Sequence, residues 1–341
     1  MHMADALLSP SVGVAMTAVG VGAISYATVK MKKGDNFDDS KIPLMGVMGA
    51  FIFAGQMINF TIPGTGSSGH IGGGILLAAL LGSSPALLTI SAVLIIQCLF
   101  FADGGLLALG ANIFNMGFLT SFIAYPLIYR PFVKNGFTTK RITIASILSV
   151  VVGLQLGSFA VVLETTLSGI TELPFTAFLV LMQPIHLAIG IIEGIVTASV
   201  LCFIHKTRPA TLDGYVERYR EYHQADSYSY KKILFLMLLF SIITAGILSF
   251  FASTFPDGLE WSIEGLLGSA ELENPSSMWH QIAVNIQDAL ALMPDYAYKA
   301  PILSQPENMG TGVAGLTGGL LTLLLALITG FVIKALKRKH I

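Results

Sequence analysis

Runs of about 20 predominantly apolar residues recur from one end of this sequence to the other, and a run of that length matches the roughly 30 Å hydrocarbon core of a bilayer. Inside lipid only helices and closed barrels satisfy their own backbone polar groups. A barrel would show short alternating segments, and none is present. Of the 341 residues 54% are hydrophobic and 11% charged, less than half the roughly 25% charged residues of a soluble domain. The chain therefore reads as an all-α polytopic membrane protein. The first apolar run lacks a basic leader and a small-residue cleavage site, so it reads as a span and not as a cleaved signal.

The pattern predicts spans at 10–29, 43–62, 71–83, 84–102, 106–128, 142–164, 174–205, 232–254 and 309–335. The 71–83 span is short for a crossing, and charge parity argues for keeping it. With nine crossings, 18 of the 19 Lys and Arg fall on one side and only Lys299 on the other. Basic excess marks the cytoplasm, which puts the N-terminus outside and the C-terminus inside. The organisation is then a seven-span block over 1–205, a polar, Tyr-rich cytoplasmic linker over 206–231, and a two-span hairpin over 232–341. The outer loop of that hairpin, 255–308, carries eight acidic residues and one basic residue. Cys98 and Cys202 lie in apolar runs and read as buried packing, with no disulfide framework.

That topology places the opening "MHMADALLSP" at the outer mouth. The Met1 α-amine, the His2 backbone nitrogen and His2 Nδ1 can enclose one metal ion in two fused small chelate rings. The second span ends outward in "TIPGTGSSGHIGGG", so His70 reaches the same level and can supply a fourth nitrogen. Planar nitrogen coordination suits Ni(II) or Cu(II), and accepts Co(II), over Mg or Ca. The bland alternative is an ordinary exposed histidine at position 2. Around His70 the glycines and Ser67 and Ser68 permit irregular backbone at membrane depth, which is tolerated where it is buried or lines a cavity. Close helix packing accounts for Gly72 to Gly74 equally well. No Gly-Lys pair occurs in the chain, so it carries no Walker A site of its own.

Four stretches in order, "MHMADALLSP", "PGTGSSGHIGGG", "FADGGLLALGANIFNMG" and "HLAIGIIEG", resemble the signatures of the CbiM/NikM family over roughly residues 1–205. "FPDGLEW", Phe255 to Trp261, is similar to the PDGLE region of the accessory CbiN/NikN component. The chain looks like a fusion of the two. The resemblance implies the substrate-binding (S) component of an energy-coupling-factor importer for Ni(II) or Co(II) in a prokaryotic cytoplasmic membrane, a transporter subunit and not an enzyme. It implies metal ligation by Met1, His2 and His70. It implies as partners a transmembrane coupling (T) protein and separate ABC-type ATPase subunits. The metal is cargo; no cofactor and no nucleic acid is expected.

Asp5 matches the acidic position of the N-terminal motif, with a supporting role beside the ligands or, alternatively, a turn or N-cap role. The family usually has Gly after that Asp and this chain has Ala6, costly if the turn needs a positive φ. Asp103, Asn112 and Asn115 are expected to support the site or fix the packing. His186 and Glu193, two turns apart on one helix face, form either a buried polar pair or part of an ion path. Ser11, Ala15, Ala18, Gly22 and Ser25 make a stripe of small residues on the first span. Internal packing is the default reading of that stripe, with T-protein docking the alternative. Outside this class stand an autonomous ion-gradient permease, an intramembrane metallohydrolase (no His-Glu-x-x-His is present) and a purely structural subunit.

Overall fold

The computed structural model describes residues 1–33, 38–215, 228–270, 272–299 and 308–338; much of the expected linker, 216–227, lies outside them. Pro10 opens α1, Pro10–Lys33, at a position where its missing N–H costs nothing. There follow α2, Ile42–Gln56, a two-stranded antiparallel hairpin of β1, Phe60–Ile62, and β2, Ser67–Gly69, then α3, Gly74–Leu81, and α4, Ser83–Phe101. The chain continues through α5, Leu109–Val133, α6, Thr139–Ser168, and α7, Phe175–Thr207. The C-terminal part holds α8, Tyr230–Gly246, α9, Gly258–Leu267, α10, Met278–Leu290, and α11, Asn308–Arg338. Among the described residues six helices are long and apolar enough to cross a membrane: α1, α4, α5, α6, α7 and α11. Their outward sides are apolar, as with Val14, Val21 and Val29 on α1 and Leu320, Ile328 and Phe331 on α11, the pattern of a lipid-facing surface.

Three expected spans are shorter than the sequence pattern suggested. The 43–62 span ends as a helix at Gln56 and turns into β1. The 232–254 span is helical to Gly246 and closes in a short 3-10 turn, Leu248–Phe251. The 71–83 span contains only the eight residues of α3, about 12 Å of helix at 1.5 Å per residue.

The way α3 is used explains why so short an element suffices. Lys41 at the start of α2 bonds Asp213 at 2.9 Å and the Leu81 carbonyl at 3.4 Å, and the Asp213 N–H donates to the Ala79 carbonyl. The start of α2 and the end of α3 therefore meet the segment that follows α7 on one face of the bundle. Tyr230 at the start of α8 bonds the Ser40 carbonyl, and Lys334 near the end of α11 pairs with Asp39 on that same face. At the opposite face Gln97 of α4 donates to Gln56 at the end of α2. The chain thus returns from one face to the other between Gln56 and Leu81. The hairpin and the loop through Gly73 make up the rest of that connection and leave His70 half-buried.

Segment 255–308, expected as an outer loop, contains two helices among its described residues, α9 and α10. Asp257 caps α9 by accepting from the N–H groups of Leu259 and Glu260, while Glu260 accepts from the Asp257 N–H. This reciprocal box fixes where α9 begins. The apolar side of α9 packs, through Leu259 and Ile263, into a cluster with Met3, Leu7 and Leu8. Each of those buried side chains contributes about 2 kcal/mol, which holds the N-terminal segment against α9.

Candidate metal centre

The first nine residues fold back against the helices by their backbone. Asn112 Oδ1 accepts from the Met3 N–H at 2.8 Å and Asn112 Nδ2 donates to the Met3 carbonyl at 3.2 Å, while the Gly105 N–H donates to that carbonyl at 2.9 Å. Asp5 forms a 3-10 turn with Ala6 and Leu7. Its carboxylate, 3% exposed, accepts the Ala108 N–H at 3.0 Å. Asp5 therefore anchors the turn to the 103–108 loop and neither caps α1 nor orients an imidazole by its side chain. Burial raises its pKa, and the backbone donors oppose that shift. Gly105 is required by this approach, because a Cβ there would lie 1.9 Å from Asp5 Oδ1. Ala6 is not among the described non-glycine residues with positive φ, which are Ala102, Asp295 and Tyr296. The turn needs no glycine, so the expected strain at Ala6 is absent.

This anchoring delivers Met1 and His2 to His70. The Met1 α-amine lies 3.3 Å from His70 Nε2, and the His2 and His70 rings stack with centroids 5.2 Å apart and an interplanar angle of 13°. His70 Nδ1 faces the Ile71 carbonyl at 3.2 Å. That bond assigns the ring proton to Nδ1 and leaves the Nε2 lone pair directed at the amine. His2 Nδ1 faces Asp103 Oδ1 at 3.3 Å, and His2 Nε2 is buried without a partner. Chelation through Nδ1 thus calls for the His2 ring to turn away from Asp103. Tyr296 donates to Asp103 from the far side.

The residue that sequence reasoning left without a role is Asp257. Its Oδ2 lies 2.5 Å from the Met1 α-amine, so the α9 cap is also the counter-ion of the chain's first nitrogen. Ser68 donates to the Phe255 carbonyl at 2.7 Å, the Ser68 N–H to the Pro256 carbonyl at 2.8 Å, and Trp261 Nε1 to the Thr65 carbonyl at 3.0 Å. Ser67 Oγ donates to the Pro256 carbonyl at 3.4 Å as well as to the Ser68 carbonyl at 3.1 Å. The two serines therefore clamp the hairpin beside His70 onto the PDGLE segment. His280 on α10, also unassigned from sequence, reaches the Asp5 and Leu8 carbonyls at 3.1 and 3.0 Å. The legible signal for Asp257 was its D-x-x-E spacing, the signature of a helix start.

Electrostatics set the protonation of the centre. Burial holds the His70 pKa down to about 3, with the amine and His2 adding to the effect. Burial also lowers His2, against the pull of Asp103. Burial raises the Asp257 carboxyl, yet the Met1 ammonium beside it holds it below the usual carboxylate range. Both imidazoles are neutral at physiological pH, the form a metal needs. Among the described residues no group of three or more His, Cys, Asp or Glu side chains is arranged to hold a metal ion. A metal centre here has to draw on the amine and the backbone.

The remaining expected residues separate. Asn115 donates to Glu164 at 2.8 Å in the helix layer below. His186 and Glu193 make no hydrogen bond to each other. His186 Nδ1 bonds the Met182 carbonyl at 2.8 Å, and Glu193 Oε1 accepts the Gly73 N–H at 2.8 Å, so the expected direct pair is not formed. Ser11, Ala15, Ala18, Gly22 and Ser25 are all exposed, whereas Gly13, Gly20, Ala23 and Ala27 form the buried face of α1. Internal packing of the stripe is thereby corrected.

The fold is that of a polytopic membrane protein, a bundle of apolar helices that holds a half-buried α-amine against two histidines. Residues 2–211 match the cobalt uptake substrate-specific transmembrane region, the CbiM family, and the chain belongs to that family. Residues 231–335 match the PDGLE domain. A protein of Archaeoglobus fulgidus, named provisionally as the fused nickel transport protein NikMN, is 32% identical over 213 residues, covering 62% of this chain and 68% of that one. One of Lactiplantibacillus plantarum, named a probable fused nickel transport protein LarMN, is 28% identical over 333 residues, covering 95% of this chain and 96% of that one. The crystal structure of a transition metal transporter superposes with a TM-score of 0.52 at 32% identity, covering 60% of this chain and 93% of that one.

Proposed function

We propose that this chain captures Ni(II) or Co(II) at the outer face of a prokaryotic cytoplasmic membrane, as the substrate-binding component of an ATP-driven energy-coupling-factor importer. The ligands are the Met1 α-amine, the deprotonated His2 amide nitrogen, His2 Nδ1 and His70 Nε2. The observation that carries this reading is the 3.3 Å approach of the Met1 amine to His70 Nε2. Two nitrogens that close, one of them a neutral imidazole lone pair, have the spacing of neighbouring ligands about 2 Å from one ion. When the ion enters, the amine gives up its proton, the His2 ring turns Nδ1 from Asp103 to the metal, and Asp257 stays as the negative charge beside the cation.

The basic side of the bundle is the cytoplasmic side by the positive-inside rule. ATP hydrolysis belongs to separate ABC-type subunits acting through a T protein. The exposed small-residue stripe of α1 gives that protein a face for close helix approach.

The test is Ni(II) titration of the purified chain with a native Met1, beside His2→Ala, His70→Ala and a version with one residue added before Met1. Each change should abolish planar coordination. Unchanged binding by the extended version refutes the chelate. For the coupled mechanism, metal uptake by this chain alone in ATP-depleted vesicles would refute dependence on the ATPase.

A further inference from the structure

Beneath the Met1–His70 contact lies a cavity lined by Met1, His70, Asn115, His186, Glu193 and Asp257, among others. Three polar atoms of these side chains, Glu193 Oε2, His186 Nε2 and Asn115 Oδ1, are buried with no hydrogen-bond partner. Each of the three residues is 1% exposed. A buried polar atom without a partner costs about 1–3 kcal/mol, and more when charged, so three around one cavity point to an occupant. The space amounts to about 30 Å³, enough for one or two waters and too small for an organic molecule. No lysine or arginine lines it, and an acidic side chain within a membrane bundle is kept for a partner or a path.

The cavity has depth. Gly258, next to Asp257, packs on His186, where a Cβ would come within 3.1 Å of its Cε1. Glu193 lies seven residues further along α7, about 10 Å by helix rise. Its Oε1 is already fixed by the Gly73 N–H, which leaves Oε2 as the free oxygen of a side chain that lines the cavity. The donors are therefore spread along α7, with His186 near Asp257 and Glu193 two turns further on.

We infer that this cavity holds a second, interior position for the transported divalent cation, with Glu193 Oε2 as its anionic ligand. The inference rests on the capture reading above. Two divalent ions this close in a poorly screened interior repel strongly, so the cavity takes one ion at a time. The ion occupies the nitrogen chelate first and the Glu193 position after leaving it. Carboxylate with a neutral nitrogen or amide oxygen accepts Ni(II) and Co(II) but binds them less tightly than four nitrogens, as a transit position requires.

The experiment removes the chelate and looks for the second position. The full chain with one residue added before Met1 is titrated with Co(II), alone and combined with Glu193→Gln or Glu193→Asp, with elution profile and Tm as checks on folding. The extended chain should still bind one Co(II), at least about 100-fold more weakly than the native chain. Glu193→Gln should abolish that residual binding, and Glu193→Asp, which keeps the charge, should retain it within about tenfold. Residual binding that survives Glu193→Gln, or no residual binding in the extended chain, overturns the interior position. Native-strength binding by the extended chain overturns the capture reading instead.

Discussion

The Met1 α-amine and the Asp257 carboxylate, 256 residues apart in sequence, lie 2.5 Å from each other. The contact joins the first atom of the chain to the N-cap of the PDGLE helix. It makes the C-terminal part of the protein a structural neighbour of the proposed metal ligand. The same segment holds the His70 hairpin through Ser68 and Trp261. Met1 and the hairpin beside His70 are therefore both held by the PDGLE segment.

Replacing Asp257 by Asn removes the negative charge beside the amine and keeps the shape of the cap. Groups that support metal ligands in this way are worth roughly 10–100-fold in affinity. Ni(II) titration should show a loss in that range for Asp257→Asn and at least as large a loss for Asp257→Ala. Wild-type affinity in both would remove Asp257 from the centre.

Gly105→Ala puts a methyl group 1.9 Å from Asp5 Oδ1. Overpacking of this kind costs about 1–3 kcal/mol, and here the N-terminal turn is what gives way. Tm should fall, and metal affinity should fall with it by at least about tenfold. A lower Tm with intact affinity would mean that the turn does not position Met1 and His2.

His280→Ala removes the imidazole facing the Asp5 and Leu8 carbonyls. Leaving those buried groups unpaired costs about 1–3 kcal/mol. The first nine residues should then become protease-sensitive in the metal-free protein and recover protection when Ni(II) is added. N-terminal cleavage rates measured with and without metal check this.

The pH response follows from burial. Unfolded, the two imidazoles take up protons near their ordinary pKa of about 6.5. Folded, His70 takes one up only at about 3, and His2 also titrates below its usual value. Between those limits the unfolded chain binds more protons, so stability is full above about pH 6.5 and is lost as pH falls toward 3. Thermal unfolding in detergent should show Tm dropping from pH 7 to pH 4. Ni(II) affinity should decline with acidity through proton release on ligation, without an inflection near 6.5. An inflection there would show that the histidines are solvated.

The membrane class was legible because hydrophobic length is a local property: α1, α4, α5, α6, α7 and α11 are each read from their own residues. The short α3 was expected only through charge parity; it is eight residues long, follows a half-exposed hairpin, and is not among the six described helices long and apolar enough to cross a membrane. Ala6 and the α1 stripe were misread for opposite reasons. The turn's φ is set by its bonds to the 103–108 loop, and the stripe's exposure is set by which face of α1 meets Gly110 and Leu107.

By itself the sequence determined what each segment can offer: apolar length for spans, three nitrogens on Met1 and His2 in chelating sequence, and a D-x-x-E start to α9. Only the tertiary structure decided what meets what. It brought His70 beside Met1 on a returning loop and set Asp257 against the amine. It also divided His186 from Glu193 along one cavity. Those outcomes depend on packing between segments up to 256 residues apart, and local propensity carries no information about such distances.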